Sequence, residues 1–367
     1  MKTRNLVVAG MLLGAICVMG SMSALAAEDR AMEITAETYI ADFGQTVKTF
    51  VLDGVSEEAA NVKAEDFAIA NDIVAAVQKV QGEDDVTEVS YEDGKLTLTV
   101  GEFRYLPSDF VVAYVGNEDI NLSFTKDQVS TVHTEIADQF EAAEENGVHY
   151  RIYIPEEVNE PVPMVIWTHG GGEKGTDNWA QIAANKGATA WVERYKDVVV
   201  LAPQAEEDWN EEIFKVIRNK ILELEEKGIV DPDRVYGTGC SFGGMGCILN
   251  AQYNKDLMAA IAPICPSMND VSMPALKELT DMGVWVSTAV EDTFPDRDDC
   301  VVECVTDLQE HGNENAQYTL YEPDEYLKYN LGTATAENEL KTEYHHAWVL
   351  TLNNEYGIMD WLMEQTK

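Results

Sequence analysis

The chain has 367 residues, long for a single domain and natural for two. It is 46% apolar and 25% charged, globular proportions that allow a full-sized core. With 66 acidic residues against 25 basic ones and a net charge of -41, it has little with which to replace the counterions around nucleic-acid phosphates or to dock on anionic lipid, so both partners are excluded.

In chain order, the first element reads as an export signal over residues 1–27. Lys2 and Arg4 give a short positive start, Leu6 to Met19 is an apolar run, and Ala24-Leu25-Ala26 is a small-x-small cleavage site. The run is broken by glycines and falls short of the ~20 residues that a membrane span needs. No later stretch is long and apolar enough either, so the processed chain is expected to be secreted and free of the membrane. From about Glu33 to Asp127 the pattern is short and alternating. Val47–Leu52, Lys95–Val100 and Phe110–Val115 have strand chemistry, with turn signals at Asp93-Gly94 and Gly116-Asn117. This spacing predicts a small all-β sandwich over residues 28–135.

Beyond about Phe140 strands alternate with helices. Val148–Pro155, Met164–Thr168, Val198–Leu201, Val235–Gly237, Val284–Thr288 and Tyr318–Tyr321 read as strands, and Ala259–Ile264 is an apolar run. Ile213 to Lys227 has helical periodicity, with Ile213, Val216, Ile217, Ile221 and Leu224 on one face. Further helices are expected from Phe242 and around Tyr356 to Glu364. The alternation predicts an α/β domain over residues 136–367, a mostly parallel sheet with helices on both faces.

Within that domain Gly239-Cys240-Ser241-Phe242-Gly243 is a G-x-S-x-G pentapeptide between a strand and a helix, the context of a nucleophile elbow. The chain must reverse sharply there, and the two glycines remove side chains that would collide in the turn. Ser241 is the expected nucleophile. His169-Gly170-Gly171-Gly172 follows a strand directly and has the form of a loop that offers backbone N–H groups to an oxyanion. Gly171 and Phe242 are the expected donors. His169 lies in the wrong part of the chain for the base and reads as a loop-stabilising residue.

Nucleophile, acid and histidine follow in that order in this fold. After Ser241 the histidines are His311, at an expected helix end, and the adjacent His345 and His346 ahead of the last helix. The acid should follow a strand, and Asp292 does so, with Glu291, Asp296, Asp298 and Asp299 as rivals. Five cysteines lie beyond the signal, and an odd number leaves at least one thiol free. Neither they nor the histidines have the spacing of a metal site, so no metal and no cofactor are expected.

Four blocks carry a resemblance. His169-Gly170-Gly171-Gly172-Glu173-Lys174-Gly175-Thr176-Asp177-Asn178, Ala202-Pro203-Gln204, Asp231 to Gly246, and Ala262-Pro263-Ile264-Cys265 occur in the order seen in a family of bacterial extracellular esterases. That family is related to polyhydroxybutyrate depolymerases and to feruloyl and acetyl-xylan esterases, and the resemblance covers roughly the last 230 residues, a normal length for one domain. It implies an α/β-hydrolase fold and a serine carboxylesterase. The family's acid follows a W-V-x-H-G-x-x-D stretch, which implies Asp292 through Trp285 to Asp292. Its histidine precedes a tryptophan by three, which implies His345 through Trp348. The chain departs from the family at Thr288-Ala289, where His-Gly is usual, and at Tyr344, where glycine is usual. Some members carry an immunoglobulin-like domain ahead of the hydrolase, which implies that character for residues 28–135. The expected substrate is a small-molecule or polysaccharide-linked ester. The alternatives are a peptidase of the prolyl-oligopeptidase type and a non-catalytic protein that binds a glycan or a surface.

Overall fold

A computed structural model describes residues 32–71, 86–106, 109–117, 119–290, 292, 296–329, 331 and 344–367. The expected export signal lies outside the described residues, as does Glu291. Among the described residues no helix is long and apolar enough to cross a membrane. The chain divides into two compact units, Met1–Glu135 and Ile136–Lys367.

Among the described residues the first unit holds two sheets. One runs in the order Val86–Glu92, Lys95–Arg104, Gly44–Asp53, Glu33–Ala41, Thr131–Thr134, antiparallel except for its last pair. The other joins Phe67–Asn71, Phe110–Tyr114 and Phe124–Thr125. Period-two alternation explains the packing. Along Glu33–Ala41 every second residue is buried, the pattern of a strand with one face on a core. Ile34, Phe50, Leu96 and Leu98 from the larger sheet share that core with Phe110, Val112 and Phe124 from the smaller one. Phe50 sits at the junction, its ring 5.5 Å from that of Phe110 and 5.0 Å from that of Phe124.

In the second unit eight strands form one sheet: β1 (Glu141–Glu145), β2 (Val148–Tyr153), β3 (Val162–Thr168), β4 (Val199–Pro203), β5 (Val230–Cys240), β6 (Ala260–Ile264), β7 (Gly283–Ala289) and β8 (Ala316–Tyr321). Their order is β1-β2-β4-β3-β5-β6-β7-β8. The β1–β2 and β2–β4 pairs are antiparallel and the rest parallel. The sheet is covered by α1 (Thr189–Tyr195), α2 (Glu211–Glu226), α3 (Phe242–Tyr253), α4 (Ser272–Lys277), α5 (Arg297–Glu310), α6 (Ala347–Leu352) and α7 (Ile358–Glu364).

The helical face of α2 is the expected one: Ile213, Val216, Ile217, Ile221 and Leu224 are all buried. The Asn210 side chain caps it by accepting from the amide of Ile213 at 3.1 Å. Met164 and Ile166 point into the core shared with α2, α3 and α5. The buried Val165 and Trp167 between them must face the other way, because strand side chains alternate. On that other side the Tyr236 hydroxyl donates to the Gln365 carbonyl just beyond α7, and α6 and α7 pack on β5, β6 and β7. Helices therefore lie on both faces.

Two element boundaries differ from expectation. Strand β5 runs well past Val235–Gly237 at both ends, because it is central and pairs along its length with β3 and β6. The last helix starts at Ile358 rather than Tyr356, since Tyr356 (φ 59°) and Gly357 (φ 73°) are both left-handed and cannot continue a helix. Strand β1 was not legible. Its sequence, Glu-Ala-Ala-Glu-Glu, has no strand preference, and the tight turn at Asn146 (φ 53°) and Gly147 (φ 83°) folds it back onto β2.

Candidate active site

The site lies where the parallel strands end. Ser241 follows the last residue of β5 and is the N-cap of α3, with φ 58° and ψ -118°. Such a conformation costs about 1–3 kcal/mol and persists only where the surroundings enforce it. They do so through close backbone approach. A Cβ added at Gly243 would collide with the carbonyls of Thr168 and His169, and one at Gly239 with the side chain and carbonyl of Thr168. The Thr168 hydroxyl, at the end of β3, lies 2.6 Å from the Gly243 carbonyl and donates to it. Both glycines of the pentapeptide are thus needed for contact between the elbow and β3 as well as for the turn. The amide of Ser241 donates to the Ile264 carbonyl at 2.9 Å, tying the elbow to β6.

His345 reaches this serine. Its Nε2 is 2.9 Å from Ser241 Oγ, and its Nδ1 is 3.0 and 3.2 Å from the two carboxylate oxygens of Asp292. The Asp292 side chain is fully shielded from solvent, and that of His345 is 18% exposed. A carboxylate only accepts, so Nδ1 carries the proton and Nε2 is left to accept from the serine hydroxyl. This is the tautomer that a general base requires. His346 does not share the position: it is buried against Trp348, the ring centroids 4.6 Å apart. Among the rival acids, Asp296 is the exposed N-cap of α5, and Asp298 and Asp299 lie in its first turn. His311 caps the far end of the same helix, its Nδ1 2.7 Å from the Asp307 carbonyl.

The glycine loop passes beside the elbow. A Cβ on Gly171 would lie 3.8 Å from that of Phe242. The Phe242 amide is the first of α3 and so among the donors that a helix cannot satisfy within itself. His169 anchors the loop and is fully buried. Its Nδ1 lies 2.7 Å from the Gly170 carbonyl, and its Nε2 accepts from the Ala205 amide at 2.9 Å. Gln204 braces the same loop from the end of β4, donating to the Glu173 carbonyl at 3.0 Å and accepting from the Asn178 amide at 2.7 Å. The Ala202-Pro203-Gln204 and His169–Asn178 segments, far apart in sequence, are therefore two halves of one loop support. Phe242 stacks on Trp209 at 5.8 Å and carries the Lys174 ammonium 4.0 Å above its ring.

Burial governs the ionisation of the loop. It pulls His169 down to about 4 and pushes Glu173 up to about 7, outweighing the backbone amides of Glu173 and Gly170 in the second case. The 4.0 Å approach of these two side chains is thus an encounter of neutral groups over much of the acidic range rather than an ion pair. The native state keeps a proton on Glu173 that the unfolded chain releases from about 4.5 upward, so stability falls as pH rises from there through about 7. The expected result is that Glu173→Gln removes this loss. The melting temperature of the variant, followed by calorimetry from pH 5 to pH 8, should fall less than that of the wild type.

Cys265 Sγ, Asp292 and His345 place ligand-type atoms within 4.8 Å of one another. The geometry does not favour a cation there. The Arg297 guanidinium already lies 3.6 Å from the Asp292 carboxylate, and burial pushes the Cys265 thiol up to about 12, so it keeps its proton. All five described cysteines, Cys240, Cys247, Cys265, Cys300 and Cys304, are free thiols. Arg297 itself was not anticipated from sequence.

No protein-family model matches the chain, and no curated protein matches it. Among solved structures it is similar to a thermostable esterase, with a TM-score of 0.68 and 22% identity over 91% of this chain and all of that one. It also matches a ferulic acid esterase (TM-score 0.43, 13% identity, 61% of this chain and 96% of that one). A third match is an acetyl xylan esterase from Aspergillus awamori (TM-score 0.37, 15% identity, 47% and 79%). The likeness at 0.68 is one of fold. Together with the eight-stranded sheet and the strand–serine–helix elbow, it establishes that this chain has the α/β-hydrolase fold.

Proposed function

We propose that the protein is a secreted serine carboxylesterase that hydrolyses carboxylic esters through an acyl-enzyme on Ser241. The hydrogen-bonded chain Ser241–His345–Asp292 at a strained elbow carries this reading. His345 Nε2 takes the hydroxyl proton as Oγ attacks the ester carbonyl. The amides of Gly171 and Phe242 receive the oxyanion, and Asp292 steadies the imidazolium that forms. His345 then protonates the leaving alcohol, and water releases the acid by the same route. Side chains and amides of the chain carry every step, so the reaction asks for no metal or cofactor.

The substrate in this proposal is a small-molecule or polysaccharide-linked ester, including acyl groups on plant polysaccharides. Residues 1–27 direct export and are removed, and the first unit is an immunoglobulin-like sandwich. The shared fold with a thermostable esterase supports the esterase reading over a binding role. The test is fluorophosphonate labelling followed by a panel of nitrophenyl acyl esters, including feruloyl and acetyl esters, against aminoacyl anilides. Labelling at Ser241 with turnover of esters alone is the expected result. Turnover of anilides in preference to esters would make the protein a peptidase, and failure to label would remove the enzyme reading altogether.

A further inference from the structure

Arg297 is the first residue of α5, and it is 4% exposed. The address is unfavourable on two counts. The first turn of a helix presents unpaired N–H donors and the positive end of its dipole, where an anion is stabilised and a cation is not. A buried charge also needs partners close by. The acidic neighbours Asp298 and Asp299 lie in the same first turn, and the guanidinium also reaches three other segments. Its Nη1 donates to the Cys265 carbonyl, lies 3.2 Å from Nδ1 of His345, and lies 3.6 Å from Oδ2 of Asp292.

These partners belong to separate segments. Cys265 directly follows β6, Asp292 comes after β7, and His345 precedes α6. The Cys265 stretch is already fixed to the sheet and to the nucleophile: its amide donates to the Ser287 carbonyl at 2.6 Å, and the preceding Ile264 carbonyl accepts from the Ser241 amide. A single planar guanidinium therefore refers both the acid and the base to the strand that also holds the nucleophile. A guanidinium is suited to this. It is rigid, presents several donors in one plane, and does not lose its charge, so it cannot compete with His345 for the serine proton.

We propose that Arg297 is a positioning residue for the acyl transfer: it sets the Asp292 carboxylate and the His345 ring relative to the β6 edge so that Nε2 meets Ser241. The inference rests on the esterase reading above. Because Nδ1 carries a proton and donates it in a hydrogen bond to the carboxylate, it cannot also accept from Arg297. The guanidinium therefore acts on the ring through Asp292, whose Oδ2 lies 3.6 Å from Nη1 and 3.0 Å from Nδ1. Small displacements of such a base are costly in rate, and about 1 Å is worth roughly a hundredfold.

The test compares the full-length wild type with Arg297→Met and Arg297→Lys, reading kcat and KM for nitrophenyl acetate, the rate of fluorophosphonate labelling, and the melting temperature. In Arg297→Met, kcat and the labelling rate are expected to fall by about 30- to 100-fold with KM nearly unchanged, an effect of base misplacement. Arg297→Lys should recover part of the loss, since it restores the charge but not the fork. A folded Met variant with wild-type kcat, or one altered in KM alone, overturns the inference and leaves the esterase reading standing. If the Met variant does not fold, the Lys variant decides by the same comparison. If neither folds, Arg297 is a folding determinant and the positioning role is rejected. A wild type that neither hydrolyses the ester nor labels defeats the reading of Ser241 and this inference with it.

Discussion

Alanine in place of Ser241 is expected to lower ester turnover by about six orders of magnitude, the loss seen when a serine nucleophile is removed from such a site. The reason lies in the bond that the oxygen makes. Without Oγ there is no acyl-enzyme, and His345 can only assist a water that no longer has a fixed position. In the proposed mechanism some rate persists above the uncatalysed reaction, about 10³-fold, because the amides of Gly171 and Phe242 would remain to meet an oxyanion. The fold should be nearly unaffected. The elbow is held by the Thr168 hydroxyl, by the Ile264 carbonyl and by the absence of side chains at Gly239 and Gly243, none of which involves Oγ. Steady-state hydrolysis of nitrophenyl acetate and a melting curve check both halves. Retention of even a tenth of the wild-type rate by a folded Ser241→Ala protein would mean that the nucleophile is elsewhere.

The second large effect concerns a proton position. Asp292→Asn keeps the shape of the side chain but lets an NH₂ group face Nδ1. The ring then favours its proton on Nε2, where it can no longer accept from Ser241, and kcat should fall by about 10⁴-fold. A second cost is structural. The Asp292 carboxylate is fully shielded and faces Arg297 at 3.6 Å, so its neutralisation leaves a buried guanidinium short of its counter-charge. Loss of one member of a buried pair typically costs about 3–5 kcal/mol, and the melting temperature should drop accordingly. Asp296→Asn and Asp298→Asn serve as controls, since Asp296 is the exposed N-cap of α5 and Asp298 lies in its first turn. If either control lost activity while Asp292→Asn kept it, the acid would have to be reassigned.

Legibility in the sequence followed the range of the interactions. The elbow could be read because its requirements are local: a strand, a turn without Cβ atoms on either side of Ser241, and a helix. The glycine loop and the α2 face were readable for the same reason, and His169 turns out to be a buried anchor, as its position in the chain suggested. Strand β1 was missed because its partner rather than its own composition makes it a strand. The acid and base were harder. In a chain with 66 carboxylates, proximity to a strand end says little, and only the family resemblance, through the spacing of its histidine to a tryptophan, favoured His345 over its neighbour.

The order of the chemical groups along the chain, the turn that presents Ser241 and the α/β character of the second unit were determined by the sequence alone, because each depends on the stereochemistry of a few adjacent residues. The tertiary structure decided how those groups meet. It brings Asp292, from beyond the end of β7, and His345, from just ahead of α6, to Ser241, joins Gln204 to a glycine loop some thirty residues upstream, and turns the side chain of Arg297 inward among them. Those contacts depend on the register of parallel strands and on which buried charges find partners, and both are properties of the packed sheet as a whole.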